Sequence, residues 1–138
     1  MLKVERGVSS PQTKPFQFNF ERLEAWTQAL AFSRAVYQAT KSFPDGERFG
    51  LTSQMRRASV SVASNLAEGA SRSSRQDFAR FVEIATGSVF EVVAQIEIAR
   101  TLGLGSEADW SDIRNRAAEL TRIFSGLRRS LLAAKATD

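Results

Sequence analysis

Four stretches of the chain repeat apolar residues at helical intervals, and each is bounded by residues that start or stop helices. In the first, from about Glu21 to Phe43, Trp26, Ala29, Leu30, Val36 and Tyr37 recur at such spacings until Phe43-Pro44-Asp45-Gly46 breaks the pattern. The second runs from about Leu51 to Ala67, with Leu51, Met55, Ala58, Val62 and Leu66 in one stripe and Glu68-Gly69-Ala70-Ser71 as the break. A third opens at Ser74, an N-cap candidate with Asp77 three residues on. It carries Phe78, Phe81, Val82, Ala85, Val89, Val92 and Ile96 toward a stop at Gly103. In the fourth, Trp110, Ile113, Ala117, Leu120, Phe124, Leu127 and Leu131 alternate steps of three and four, the seam spacing of a bundle. Short connections and no period-two strand pattern predict an all-α four-helix bundle over 20–135.

Residues 1–19 read differently. Gly7, Ser9, Ser10, Pro11 and Pro15 predict an extended arm, and the alternation Phe16, Phe18, Phe20 sets three rings on one side of it. The arm therefore needs something to dock against.

Composition narrows the function more than the fold. At 138 residues the chain suits one domain, and 43% hydrophobic with 25% charged residues lies near the globular average. No apolar run approaches the roughly 20 residues of a membrane-spanning helix. Residues Met1 to Arg6 lack the apolar core of a secretory signal, so a cytoplasmic location is expected. The chain has no cysteine and no histidine, which removes thiolate nucleophiles, the commonest general base and the usual zinc ligands. Its acids are scattered at the spacings of solvated helix faces. The expectation is a binding protein and not an enzyme, with no cofactor and no metal.

Two helix faces are not absorbed by a simple core. Gln54, Arg57, Ser61, Asn65 and Glu68 form a polar ribbon beside the apolar stripe of the second helix, with Val60, Ala63 and Ala67 on its other side. A ribbon flanked by apolar faces reads as a structural hydrogen-bond network in preference to a solvated face. On the third helix Ile84, Gly87, Ala94 and Ile98 make a second apolar strip with Glu91 inside it, and Arg57 is the expected cation for Glu91. Second strips on two central helices predict self-association.

The net charge is +4 with arginine outnumbering lysine, and the pI is about 10.1. Arginine's planar fork suits phosphate. Arg56, Arg57, Arg72, Arg75 and Arg80 crowd the sequence around the junction of the second and third helices, and Arg122, Arg128 and Arg129 lie on the fourth. Neither group is interleaved with aromatics for base stacking, and no recognition-helix motif is present. Nucleic-acid contact through Arg56, Arg72, Arg75, Arg80, Arg122, Arg128 and Arg129 would therefore be to backbone.

The order of residues also resembles a known family. Phe20-x2-Leu23-x2-Trp26, Phe43-Pro44, Glu47-x-Phe49-Gly50-Leu51 and Gln54-x-Arg56-Arg57-Ala58 are followed by Ser61-Val62-x2-Asn65-x-Ala67-Glu68-Gly69. Next comes Phe78-x2-Phe81-x2-Ile84-Ala85-x-Gly87-Ser88-x2-Glu91. As an ordered set from Phe20 to Gly103 they resemble the four-helix bundle family called 23S rRNA intervening-sequence proteins; the tail after Gly103 fits in being helical. The resemblance implies up-and-down bundles assembled as homopentameric rings, and similarity to the accessory protein of diversity-generating retroelements, which binds nucleic acid and a reverse transcriptase. Some members are encoded within intervening sequences of large-subunit rRNA genes. Genomic position is not a mechanism, so the name alone assigns no rRNA binding. The expected partners are further copies of the chain and RNA or DNA backbone, with no membrane. The alternative is a scaffold that binds another protein, through the aromatic arm, and has no nucleic-acid role.

Overall fold

The computed structural model of the chain describes residues 14–137 and contains four helices and no strand among them. They are α1, Glu24–Thr40; α2, Leu51–Ala70; α3, Arg75–Thr101; and α4, Glu107–Thr137. Each packs on its neighbours in sequence, and α1 closes the circuit against α4. Connections of ten, four and five residues, the first containing a 3-10 turn over Asp45–Glu47, fold each helix back on the last, which produces the antiparallel bundle.

The caps expected from sequence are formed. Ser74 is extended, with φ −114° and ψ 148°, and its Oγ accepts the Asp77 amide at 3.0 Å. At the other end of α3, Leu104 donates its amide to the Ala99 carbonyl at 2.9 Å, and Gly103 donates to Arg100 at 3.1 Å. This six-to-one and five-to-two pairing needs a left-handed residue, and Gly103 has φ 69°. Gly105, with φ 76°, is needed twice over: a Cβ there would meet Trp110 Cζ2 at 2.2 Å. Trp110 is buried behind this turn and donates Nε1–H to the Leu104 carbonyl at 3.0 Å.

The seams on α2, α3 and α4 follow the predicted stripes, except that Phe78 and Leu127 are only half-buried. Leu66, Met55, Val82, Ile96, Ile113, Leu120 and Phe124 lie entirely out of water. At about 1.5–3 kcal/mol per large apolar side chain, this layer is the main stabilising element.

On α1 the expectation needs correction. A 3-10 turn over Asn19–Arg22 and an extended Leu23 delay the helix to Glu24, and it ends at Thr40. Its buried seam is Ala25, Ala29, Phe32, Val36 and Ala39, in steps of four and three. Leu30 and Tyr37 sit one position off that seam and are 48% and 40% exposed. Phe43 lies beyond the helix but plugs the core, its ring 5.9 Å from that of Trp110. On α2 the helix continues through Gly69 to Ala70, past the break expected at Glu68.

Of the arm expected over 1–19, residues 1–13 lie outside the described residues. From residue 14 up to the 3-10 turn the chain has no regular secondary structure, and Phe18 is extended, with φ −73° and ψ 151°. Among the described residues, no helix is long and apolar enough to cross a membrane.

Candidate functional site

The polar ribbon of α2 divides into an engaged middle and exposed ends. Ser61 and Ser88 meet across the α2–α3 contact with their Oγ atoms 2.9 Å apart. Asn65 donates Nδ2–H to both the Ser61 carbonyl and its Oγ at 2.9 Å. Gln54, Arg57 and Glu68 are exposed, and Glu68 pairs with Arg72 at 2.9 Å. The expected Arg57–Glu91 ion pair is absent among the described residues. Both side chains instead line one open cleft of about 440 Å³ with Phe49, Ser53, Gln54 and Ser61. There water satisfies each charge at less cost than holding two flexible side chains together.

Sequence reasoning missed Ser88 and Gln95 in this network, and Ser59 at the contact of α2 with α1. Gln95 is 5% exposed, its Nε2 donates to Glu91 at 3.4 Å, and its Oε1 has no hydrogen-bond partner among the described residues. The signal was available: Ser88, Glu91 and Gln95 step by three and four on the α3 face that meets α2. Ser59, fully buried, lies with its Oγ 3.2 Å from that of Ser33 on α1.

The arginines separate in space. Arg56 is turned into its own bundle, donating Nε–H to Thr40 Oγ1 at 2.9 Å and Nη2–H to the Tyr37 carbonyl at 3.3 Å. Its guanidinium also lies 4.7 Å from the Tyr37 ring centre. It thus caps the C-terminus of α1 and stands apart from the α2–α3 junction. Arg72 and Arg80 do share that junction. Both guanidinia lie 4.6 Å from the centre of the Phe81 ring, and both reach Asp77, at 3.7 and 3.0 Å. Arg75, the first residue of α3, is exposed and has no ion pair among the described residues.

On α4, Arg122 pairs with Glu119 and Arg129 donates to Ser125 Oγ at 2.9 Å. Seven residues apart, these two share one face of the helix. Arg128 points elsewhere, into an open groove of about 640 Å³ between α3 and α4 that it lines together with Arg80, Asp77 and Glu83. The fold therefore joins one arginine from each of the two groups that the sequence keeps apart.

The aromatic arm meets the same end of the bundle. Asn19 donates Nδ2–H to the carbonyl of Ala70 at 2.9 Å, two residues before Arg72. The rings form a continuous ladder: Phe16 to Phe18 at 5.0 Å, Phe18 to Phe20 at 6.0 Å, Phe20 to Trp26 at 4.6 Å. Separation in sequence hid that the arm and the α2–α3 junction share one end of the bundle.

At the opposite end, Glu97 accepts from Arg100 at 2.6 Å and from Arg114 at 2.9 Å, and Arg100 also reaches Glu107 at 3.0 Å. The Glu107 hydrogen bond foremost, then the charges of Glu107 and Glu97, outweigh desolvation and hold the Arg100 guanidinium above its usual pKa. This is a clasp between α3 and α4. Among the described residues, no three acidic side chains converge into a candidate metal site.

No curated protein matches the chain. A family model described as 23S rRNA-intervening sequence protein does, over residues 21–126, well over half of the chain. The match spans all four helices and runs past Gly103, where the recognisable motifs end, along most of α4. The chain therefore belongs to the family of 23S rRNA-intervening sequence proteins.

Proposed function

We propose that the protein is a non-enzymatic, ring-forming homo-oligomer of the cytoplasm that binds nucleic-acid backbone without sequence preference. The observation that carries this reading is the segregation of its surface. Along α3 and at its C-cap, Ile84, Phe90, Ile98 and Leu102 are 41%, 62%, 50% and 57% exposed, an apolar strip that another copy would cover. Arg75 and Arg80 stand at the N-terminal end of the same helix, about 35 Å and about 27 Å from Ile98 at 1.5 Å per residue. A ring closed through Phe90, Ile98 and Leu102 would leave the arginines free, and would repeat them around its circumference. Repetition turns several weak phosphate contacts into avidity, which a single chain of charge +4 lacks. Pentameric closure is the arrangement that family resemblance favours.

Light scattering coupled to gel filtration measures the assembly: a pentamer mass is expected, and a monomer mass at micromolar concentration would overturn it. Ile98→Glu should lower that mass. Fluorescence anisotropy with unrelated DNA and RNA measures binding, whose logarithm should fall with log salt by about 0.9 per duplex phosphate neutralised. Reversing Arg75, Arg80 and Arg128 to Glu should weaken every sequence alike without changing the mass. A folded oligomer that binds no nucleic acid at low salt would instead be a scaffold for another protein.

A further inference from the structure

Two rings of the arm are held out into water by a well-tied base. Phe16 and Phe18 are 80% and 58% exposed, although burying either would stabilise the chain by about 1.5–3 kcal/mol. Yet the segment is anchored. The Phe18 amide donates to Glu21 Oε1 at 2.8 Å, Asn19 holds the Ala70 carbonyl, and Phe20 rests edge-on against Trp26, which packs on the core. Exposed, anchored aromatics have little conformational entropy left to lose on binding.

Charge selects the occupant. Phe18 is one Cα step, about 3.8 Å, from Asn19, and Asn19 touches the end of α2 from which Arg72 and Arg75 follow. Arg72 is already met by Glu68 and Asp77, whereas Arg75 has no ion pair among the described residues, and an apolar protein partner would bring its surface against that cation without neutralising it. A single-stranded nucleic acid brings flat bases for the rings and phosphates for the guanidinia. A duplex brings the phosphates but keeps its base faces stacked on one another. We infer that the arm is a base-stacking platform, that Phe16 and Phe18 each take an unpaired base while Arg72, Arg75 and the Arg80–Arg128 groove follow the backbone, and that the protein prefers single strands. This rests on the backbone-binding reading and adds a substrate class to it.

The test compares the full chain with its Phe16→Ala/Phe18→Ala variant in anisotropy assays against oligo-dT, oligo-U and a mixed-sequence duplex, with inorganic polyphosphate as a competitor lacking bases. Single strands of both sugars should bind more tightly than the duplex. The variant should lose at least about fivefold on single strands for each stack removed, with duplex and polyphosphate binding unchanged. Phe16→Trp/Phe18→Trp should retain the preference. Both rings are exposed, so the melting temperature serves as a control that should not move. Equal binding of single strand and duplex, or an equal effect of the variant on both, overturns the stacking platform and leaves backbone binding standing. If the folded protein binds none of the probes, both readings fall. A variant that changes the assembly mass but not the single-strand preference would place the rings between copies and overturn the inference.

Discussion

Adding a single methyl group at Gly69 should wedge α2 from α3. The position is helical and buried, and a Cβ built there would lie 2.6 Å from Phe81 Cβ, 3.0 Å from Phe78 Cδ1 and 3.3 Å from the Phe78 carbonyl. The first of these is the decisive contact. A side-chain tip can rotate away, but a Cβ moves only with its backbone, so the two helices must separate where Arg72 and Arg80 rest on Phe81. Overpacking of this kind costs about 1–3 kcal/mol, offset by about 1 kcal/mol because Ala is the better helix former. The net expectation for Gly69→Ala is a loss of up to about 2 kcal/mol, or up to roughly 8 °C in melting temperature for a chain of this size. Gly126→Ala on α4 is the matched control, since its Cβ would meet nothing nearer than Arg129 Nη2 at 3.8 Å. It should stabilise by about 0.5–1 kcal/mol. Circular-dichroism melts at one protein concentration compare them, because assembly couples stability to concentration. A rise in melting temperature for Gly69→Ala matching that of Gly126→Ala would refute the close approach.

Other substitutions test the caps and the polar network. Ser74→Ala should cost about 1 kcal/mol by removing the α3 cap, and Ser74→Asp should retain most of it in the same melt. Asn65→Ala should cost about 0.5–1.5 kcal/mol, while Glu68→Ala, whose Arg72 pair is exposed, should stay within about 1 kcal/mol. Urea titration that ranks Glu68 above Asn65 would reverse the division of the ribbon into an engaged middle and solvated ends. Gln95→Leu should stabilise the chain by about 1 kcal/mol, since it removes a buried acceptor with no partner among the described residues. A clear loss of stability would mean that Oε1 is bonded within the assembly.

Which residues these experiments target depends on two kinds of information. Local periodicity was enough for the α2 and α4 seams, because the side-chain direction at each position follows from 3.6 residues per turn wherever the helix sits. Caps were legible for the same reason: the Ser74 bond to Asp77 and the left-handed Gly103 involve only neighbours in the chain. Where two apolar sets compete on one helix, periodicity cannot choose between them. On α1, Ala25, Phe32 and Ala39 won over Leu30 and Tyr37 because the gap between α2 and α4 admits one seam, and Arg56 of α2 then covered Tyr37. The candidate surface depended still more on packing. Arg56 follows Met55 by one residue yet turns toward α1, while Arg80 and Arg128, on different helices, share a groove. The arm's rings reached the arginine end through one bond from Asn19 to Ala70. Such meetings depend on interhelical spacing and on loops that reverse the chain, so only the tertiary structure could decide them.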